Sequence, residues 1–322
     1  MRLNTTLSTL LLALCWILCS TTAFAQAIFR WNSSSGTDWQ VSGNWVFVSG
    51  TDDGSNGYPD GTDEALFDAS SPTPSGALTN TPASVATVTL NGFTGTVQIG
   101  ADLTVTNSTT INGGTLTLNN LSNQNSLGVF TLSSGTFNGA GTVQMISATV
   151  SGGTFNGNSG EYTIDQNQQL AISGGTFNAG SGTYSLSVTS NFSVFSHTGG
   201  TFNRGTSTFT VSVNSNSATA TLTTNQATGL HNLEITTPGG STSGRVVAFS
   251  GSGTFTIHNE LARTGRLTNV TGTNLQYASG ATLRYNPNNN QTVSGEWPAS
   301  SGPTNVIKQN TGTITLTASR TI

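Results

Sequence analysis

Ser134-Gly-Thr-Phe-Asn138 is the first of four near-identical phrases. It returns as Gly152-Gly-Thr-Phe-Asn156, Gly174-Gly-Thr-Phe-Asn178 and Gly199-Gly-Thr-Phe-Asn203. A fainter copy, Gly113-Gly-Thr-Leu-Thr117, precedes them. The large apolar residue of each copy is Leu116, Phe137, Phe155, Phe177 or Phe202, at steps of 21, 18, 22 and 25 residues. Self-similarity at this period is the mark of a solenoid.

The uneven steps hide fixed internal registers. Seven residues after the repeat Phe stands Tyr162, Tyr184 or Phe209, with Val143 six residues on in the first copy. Seven and five residues before it stand Phe130 and Leu132, Ala148 and Val150, Leu170 and Ile172, and Phe195 and His197. The length variation is confined to one place, as at Asp165-Gln-Asn-Gln-Gln169. A fixed frame with variable loops at one corner is what stacked coils produce. Within each segment apolar and small polar residues alternate, as in Tyr162-Thr-Ile164, which is the period of a strand with one buried face. Three short strands per turn predict a right-handed parallel β-helix. Leu116 and its four aromatic counterparts then stack along one inner line. The Asn after each Phe suits a corner, because Asn tolerates left-handed backbone, and a stacked Asn ladder is expected there.

A disordered low-complexity tract is the competing reading, since only 34% of the chain is hydrophobic. Disorder usually carries high net charge and lacks aromatics at fixed spacing. This chain is 7% charged and its aromatics keep register.

Outward from the repeats, Met1 to Ala25 has the pattern of an export signal: Arg2, an apolar run from Leu7 to Leu18, and Ala23-Phe-Ala25 before Gln26. The run is too short for a membrane span and ends in a small-x-small cleavage site. A secreted or bacterial cell-surface location after cleavage near Ala25 follows. Both cysteines, Cys15 and Cys19, fall within this leader, so the mature chain has no disulfide chemistry. Loss of Arg2 with the leader leaves eight basic and thirteen acidic residues, with Lys308 the single lysine. Such a chain offers no basic stripe for nucleic acid. Residues 26–84 carry Trp31, Trp39 and Trp45 and are expected to cap the open end, as terminal repeats must; Pro72, Pro74 and Pro82 mark a linker or irregular first turn. Regular rungs are expected over 85–220, where no proline interrupts the ladders. Looser repeats follow over 221–322, and the pattern is expected to continue beyond the given C-terminus.

Candidate sites are sparse. Asp52, Asp53, Asp60 and Asp63 form an acidic group with oxygen ligands of the kind Ca²⁺ prefers. A solvated turn is the competing reading, because the spacing lacks the full loop pattern of an EF-hand. Glu161 and Asp165 are the catalytic candidates for a polysaccharide-degrading enzyme, a lyase or glycoside hydrolase. Four residues of strand separate them by roughly 13 Å, beyond the roughly 5–9.5 Å of a hydrolytic carboxylate pair. His197 falls in an inward column, His231 precedes a strand, and His258 adjoins Asn259-Glu260. The repeats also set out a polar lattice that could serve as a ligand face. One row is Thr115, Thr136, Thr154, Thr176 and Thr201; beside it run Asn138, Asn156, Asn178 and Asn203. Strand preference alone explains a Thr row; a glycan, a cell-surface ligand or ice are the ligands such a lattice would suit.

The segments Trp31, Trp39, Asn44-Trp45, Pro59-Asp-Gly and Asp63, the Gly-Gly-Thr-Phe-Asn copies, Asn232-Leu-Glu-Ile235 and Trp297-Pro-Ala-Ser-Ser-Gly-Pro-Thr-Asn-Val306 resemble those of secreted bacterial β-solenoid repeat proteins. These include autotransporter-passenger-like adhesins and Bacteroidota surface repeat proteins. The resemblance implies an exported structural or adhesive surface protein without catalysis or cofactor.

Overall fold

A computed structural model describes residues 26–52, 54–119, 122, 124–237, 244–265, 269–286, 290–316 and 318–320. Residues 1–25, where the sequence has the pattern of an export signal, and Asp53 lie outside them. The described chain is a β-solenoid of about ten turns. One turn comprises Ser147–Val150, Thr154–Asn156 and Glu161–Ile164; the next, Leu170–Ile172, Thr176–Asn178 and Thr183–Val188. A third comprises Phe192–His197, Thr201–Asn203 and Thr208–Val213. Each strand pairs in parallel with its counterpart one turn away.

Corner lengths explain the uneven repeat. In these three turns the corner before the Phe strand keeps three residues (151–153, 173–175, 198–200) and the corner after it four (157–160, 179–182, 204–207), one more than after Phe137 (139–141). The corner leading into the next turn varies from one residue (146) to five (165–169). The paired glycines are required by geometry. Gly153, Gly175 and Gly200 have φ of 65, 65 and 80°, where a side chain is strained. A Cβ at Gly175 would also lie 2.5 Å from the carbonyl carbon of Gly152 in the turn before.

The inner columns are continuous. Register places Val97, Leu116, Phe137, Phe155, Phe177 and Phe202 in one line. The Phe rings follow at centroid spacings of 5.0, 4.5 and 5.5 Å. A second line stacks Tyr162 on Tyr184 and Tyr184 on Phe209, at 4.8 and 4.6 Å. The two phenol groups donate to the carbonyls of Gly157 and Ala179, so burial leaves neither unsatisfied. Burial raises the pKa of both, with Tyr162 adding to the effect on Tyr184.

The Asn ladder forms, but not in left-handed backbone. Each Asn ends a strand, and the left-handed position falls two residues after Asn156, Asn178 and Asn203, at Asn158, Gly180 and Gly205, and three after Asn138, at Gly141. The extended Asn points outward, where its amide reaches the preceding turn.

At the N-terminal end, Ile28–Trp31 pairs in parallel with Glu64–Asp68 and antiparallel with Trp45–Ser49. Trp45 packs edge-on against Trp31 and tilted against Trp39, both at 5.0 Å, and against Phe67 at 5.8 Å. Indole N–H groups donate to the carbonyls of Ser33, Pro59 and Trp39. The cap is thus continuous with the stack. Parallel pairing reaches back to Ile28, and the proline-rich segment supplies a strand of its own, Ala77–Leu78, on Thr96–Ile99.

Beyond residue 220 the stack persists with altered corners. Ala227–Thr236 and Thr254–Arg263 run as ten-residue strands through a position where earlier turns bend. Here the interior also takes in charge. Arg263 and Glu296 form an ion pair, with side chains 1% and 0% exposed. Tyr285 donates to the Glu296 carboxylate at 3.0 Å, Tyr277 to the Glu296 carbonyl at 2.6 Å, and Arg263 to Gln291 at 3.0 Å. The guanidinium lies over the Tyr285 ring, 5.4 Å from its centre.

Candidate functional site

The outer face of the Phe strands carries the lattice expected from the repeat. Thr96, Thr115, Thr136, Thr154, Thr176 and Thr201 lie in register across six turns. All but Thr201 are half-buried. In the adjacent row, Asn138 donates to Thr117 at 3.1 Å, Asn156 to Asn138 at 2.8 Å, Asn178 to Asn156 at 2.7 Å, and Asn203 to Asn178 at 2.7 Å. Each inner amide therefore donates to the turn before and accepts from the turn after. The row is bonded along its own length, which holds the side chains in one orientation and makes the face rigid. A second outer row that the repeat phrase does not single out runs through Thr89, Thr110, Thr131 and Thr149.

The acidic group near the N-terminus is distributed among turns. Asp52 accepts from the backbone N–H of Ser55 at 2.7 Å, and Asp60 accepts from the Asn56 amide at 2.6 Å. Asp63 is fully buried, accepts weakly from the Asp60 N–H at 3.3 Å, and through its carbonyl receives Ala86 and Thr87. Among the described residues no group of three or more His, Cys, Asp or Glu is arranged to hold a metal ion.

Glu161 begins the last strand of its turn, in the ten-stranded sheet those last strands form, and Asp165 follows that strand. Glu161 is exposed, with Thr142 and Thr183 opposite it on the two neighbouring turns. Asp165 lies just past the strand end and accepts from the Gln144 amide at 2.9 Å.

The histidines divide. His197 is buried in the inner column opposite Ile172, as its register predicts. Its Nδ1 lies 2.8 Å from the Thr228 hydroxyl, which bonds Thr224 at 2.7 Å. Burial lowers its pKa, opposed by hydrogen bonds to the backbone of Gly200 and Gly199. His231 does not precede a strand; it lies within Ala227–Thr236, at the register shift between Leu230 and Asn232. That shift sets it beside His258 of the next turn, and His258 interacts electrostatically with both Arg204 and His231. Partial burial lowers the His258 pKa, followed by Arg204 and His231. The His258 ring covers Gly229: a Cβ there would meet Nε2 at 2.9 Å and the Arg204 stem at 3.5 Å.

Next to these groups opens a groove of about 300 Å³, lined in part by Thr208, Asn232, Glu234, Glu260, Ala262 and Arg284. Asn259 donates to Asn232 at 2.7 Å, and Asn232 to Thr208 at 3.2 Å. Arg284 donates through Nε to Glu260 at 2.8 Å and through a second guanidinium nitrogen to the same oxygen. Glu234, Ala262 and Arg284 share one outward column. The methyl of Ala262 is therefore a floor between a carboxylate and a guanidinium two turns apart, roughly 9–10 Å at the strand spacing. The repeat phrase fades before these residues, so spacing in the sequence does not bring them together. The available signal was the return of charge after Asn203.

Stacked parallel coils with a Trp-rich cap define the chain as a β-solenoid. Set against protein-family models, curated proteins and solved structures, it matches none. Among the described residues no helix is long and apolar enough to cross a membrane.

Proposed function

We propose that this chain is an exported structural or adhesive surface protein that presents a rigid, polar β-solenoid face and performs no catalysis. The observation that carries this reading is the Thr and Asn lattice, held in register by amide-to-amide bonds from turn to turn. From Leu103 to Asn203 the sequence places only Glu161 and Asp165 as charges. A flat, uncharged array makes weak contacts singly; repetition along the stack and across neighbouring molecules multiplies them through effective concentration. Glu161 stands between threonines on both adjacent turns, and Asp165 is engaged by Gln144. Both arrangements favour surface charge over a hydrolytic pair, which needs two carboxylates about 5–9.5 Å apart. The leader pattern of residues 1–25 supports export.

Residues 26–322 should be screened on a glycan array as a monomer and as a clustered multivalent form. Polysaccharide cleavage is followed in parallel by release of reducing ends. Retention by the clustered form alone, lost when Thr154 and Thr176 are changed to Val, is the expected result. Cleavage of any polysaccharide, or retention indifferent to those changes, would refute the reading.

A further inference from the structure

The groove over Ala262 lies on the ten-stranded sheet, away from the Thr and Asn rows of the seventeen-stranded one, and its chemistry differs from theirs. In a chain that is 7% charged, it gathers Glu234, Glu260 and Arg284, with Arg204, His231 and His258 alongside. Two of the chain's three histidines therefore sit on one patch. We propose that this groove is a binding site for a neutral polyhydroxylated ligand, a pyranose unit of an oligosaccharide.

Charge decides the ligand class. Two carboxylates and one guanidinium line the groove, and the pairing of Glu260 with Arg284 leaves Glu234 as the one lining charge without an opposite partner. A phosphate or uronate would be repelled by Glu234 and Glu260. A divalent cation would meet Arg284, and no cluster of three metal-ligating side chains exists among the described residues. A sugar hydroxyl instead donates and accepts at once, and the groove supplies both partners side by side. Glu234 forms no hydrogen bond or ion pair with the described residues and is free to accept. Arg284 is held by Glu260 through two nitrogens of one edge, which fixes the direction of its other donors. The Thr208, Asn232 and Asn259 chain continues the array towards His231 and His258. A column of larger side chains would fill the space that Ala262 leaves open. The register shift at Leu230/Asn232 brings His231 and His258 together, each next in sequence to an asparagine that lines the groove, Asn232 and Asn259.

The histidine rings provide the assay. The full chain is titrated, with ring-proton NMR, against soluble oligosaccharides of glucose, mannose and xylose. Polygalacturonate and inorganic phosphate serve as anionic probes. At least one neutral series should give saturable shifts at His231 and His258 while His197, sealed in the interior, stays fixed. E234Q should weaken that binding about tenfold, the loss of one charge-assisted hydrogen bond. A262L should abolish it by filling the floor. T176V, on the other face, should leave it unchanged, which separates this site from the lattice. An unmoved His197 resonance reports that each variant retains its fold; should A262L disturb it, E234Q decides. The proposal is overturned by shifts with the anionic probes alone, by no saturable shift with any neutral series, or by E234Q binding as the parent does.

Discussion

Phe155 is the most informative single residue to remove. It lies between Phe137 at 5.0 Å and Phe177 at 4.5 Å, the latter stacked nearly parallel at 7°, with Tyr162 at 5.6 Å and Phe130 at 5.9 Å. It is 1% exposed. Truncation of a buried Phe to Ala costs about 3–5 kcal/mol. Aromatic pairs contribute about 0.5–1.5 kcal/mol each beyond their buried area, and Phe155 takes part in four. Backbone ladders on both sides hinder the cavity from collapsing, so the cost of Phe155→Ala belongs at the upper end, about 5 kcal/mol. With a urea slope of about 3 kcal/mol/M, the midpoint falls by roughly 1.5–2 M. In a stack where each turn contacts only its neighbours, weakening a middle turn also uncouples the two ends. Trp31, Trp39 and Trp45 report on one end, and changing Trp297 to Phe removes the fluorescence of the other. Urea unfolding followed by tryptophan fluorescence and by far-ultraviolet circular dichroism should then give separate transitions in the variant. A loss below about 1 kcal/mol, no larger than for Thr154→Ala on the outer face, would refute the packed Phe column.

Three further outcomes follow from the same geometry. Gly175→Ala should lower thermal stability by about 2–3 kcal/mol, because φ of 65° and a contact of 2.5 Å with backbone both oppose a side chain; Gly43→Ala, with nothing within 4 Å, should be nearly neutral. Glu296→Leu should cost about 3–5 kcal/mol by leaving Arg263 buried without its partner, and adding Arg263→Met should restore much of that loss in calorimetric scans. Alkaline titration should unfold the stack. Burial raises the phenols of Tyr162, Tyr184, Tyr277 and Tyr285 above their unfolded values. Their stabilisation is complete below the unfolded pKa of about 10 and is lost as pH rises from there towards the folded values. A flat stability profile between about pH 9 and 12 would contradict that burial.

The Phe column was legible because one residue type recurs between corners of nearly constant length, so counting from the phrase finds every inward position. His197 was placed by the same count. The Asn rows were legible as a ladder but not in their backbone: the tolerance of Asn for left-handed geometry suggested a corner, whereas the amide bonds to the previous turn require an extended strand end. The groove was hidden for a different reason. Its ruler disappears where Ala227–Thr236 and Thr254–Arg263 straighten the second corner, and a register shift then resets the alignment. Arg284 meets Glu260 across 24 residues, a separation that no repeated phrase marks. Arg263 shares the inward parity of Leu261, but a sequence gives no sign that Glu296, 33 residues on, enters the same interior.

A solenoid restricts where charge can appear, and that restriction gives the groove its weight. A side chain repeated in one column meets its copies at roughly 4.8 Å. At that spacing each adjacent pair of like charges costs about 1 kcal/mol even in water, and more beside protein. Threonine, asparagine and apolar residues escape this penalty, which accounts for the nearly uncharged stretch from Leu103 to Asn203. Charge re-enters this architecture where unlike signs face one another on neighbouring turns, as Glu260 and Arg284 do, or where it is sealed inside with a partner, as Arg263 and Glu296 are. The interior pair is inaccessible and acts on stability. The exterior pair, with Glu234 beside it, meets water across a floor that Ala262 keeps open. The ladders of the earlier turns hold their shape without such groups, so the structural role of the stack does not account for gathering them here; the ligand recognition proposed for the groove would.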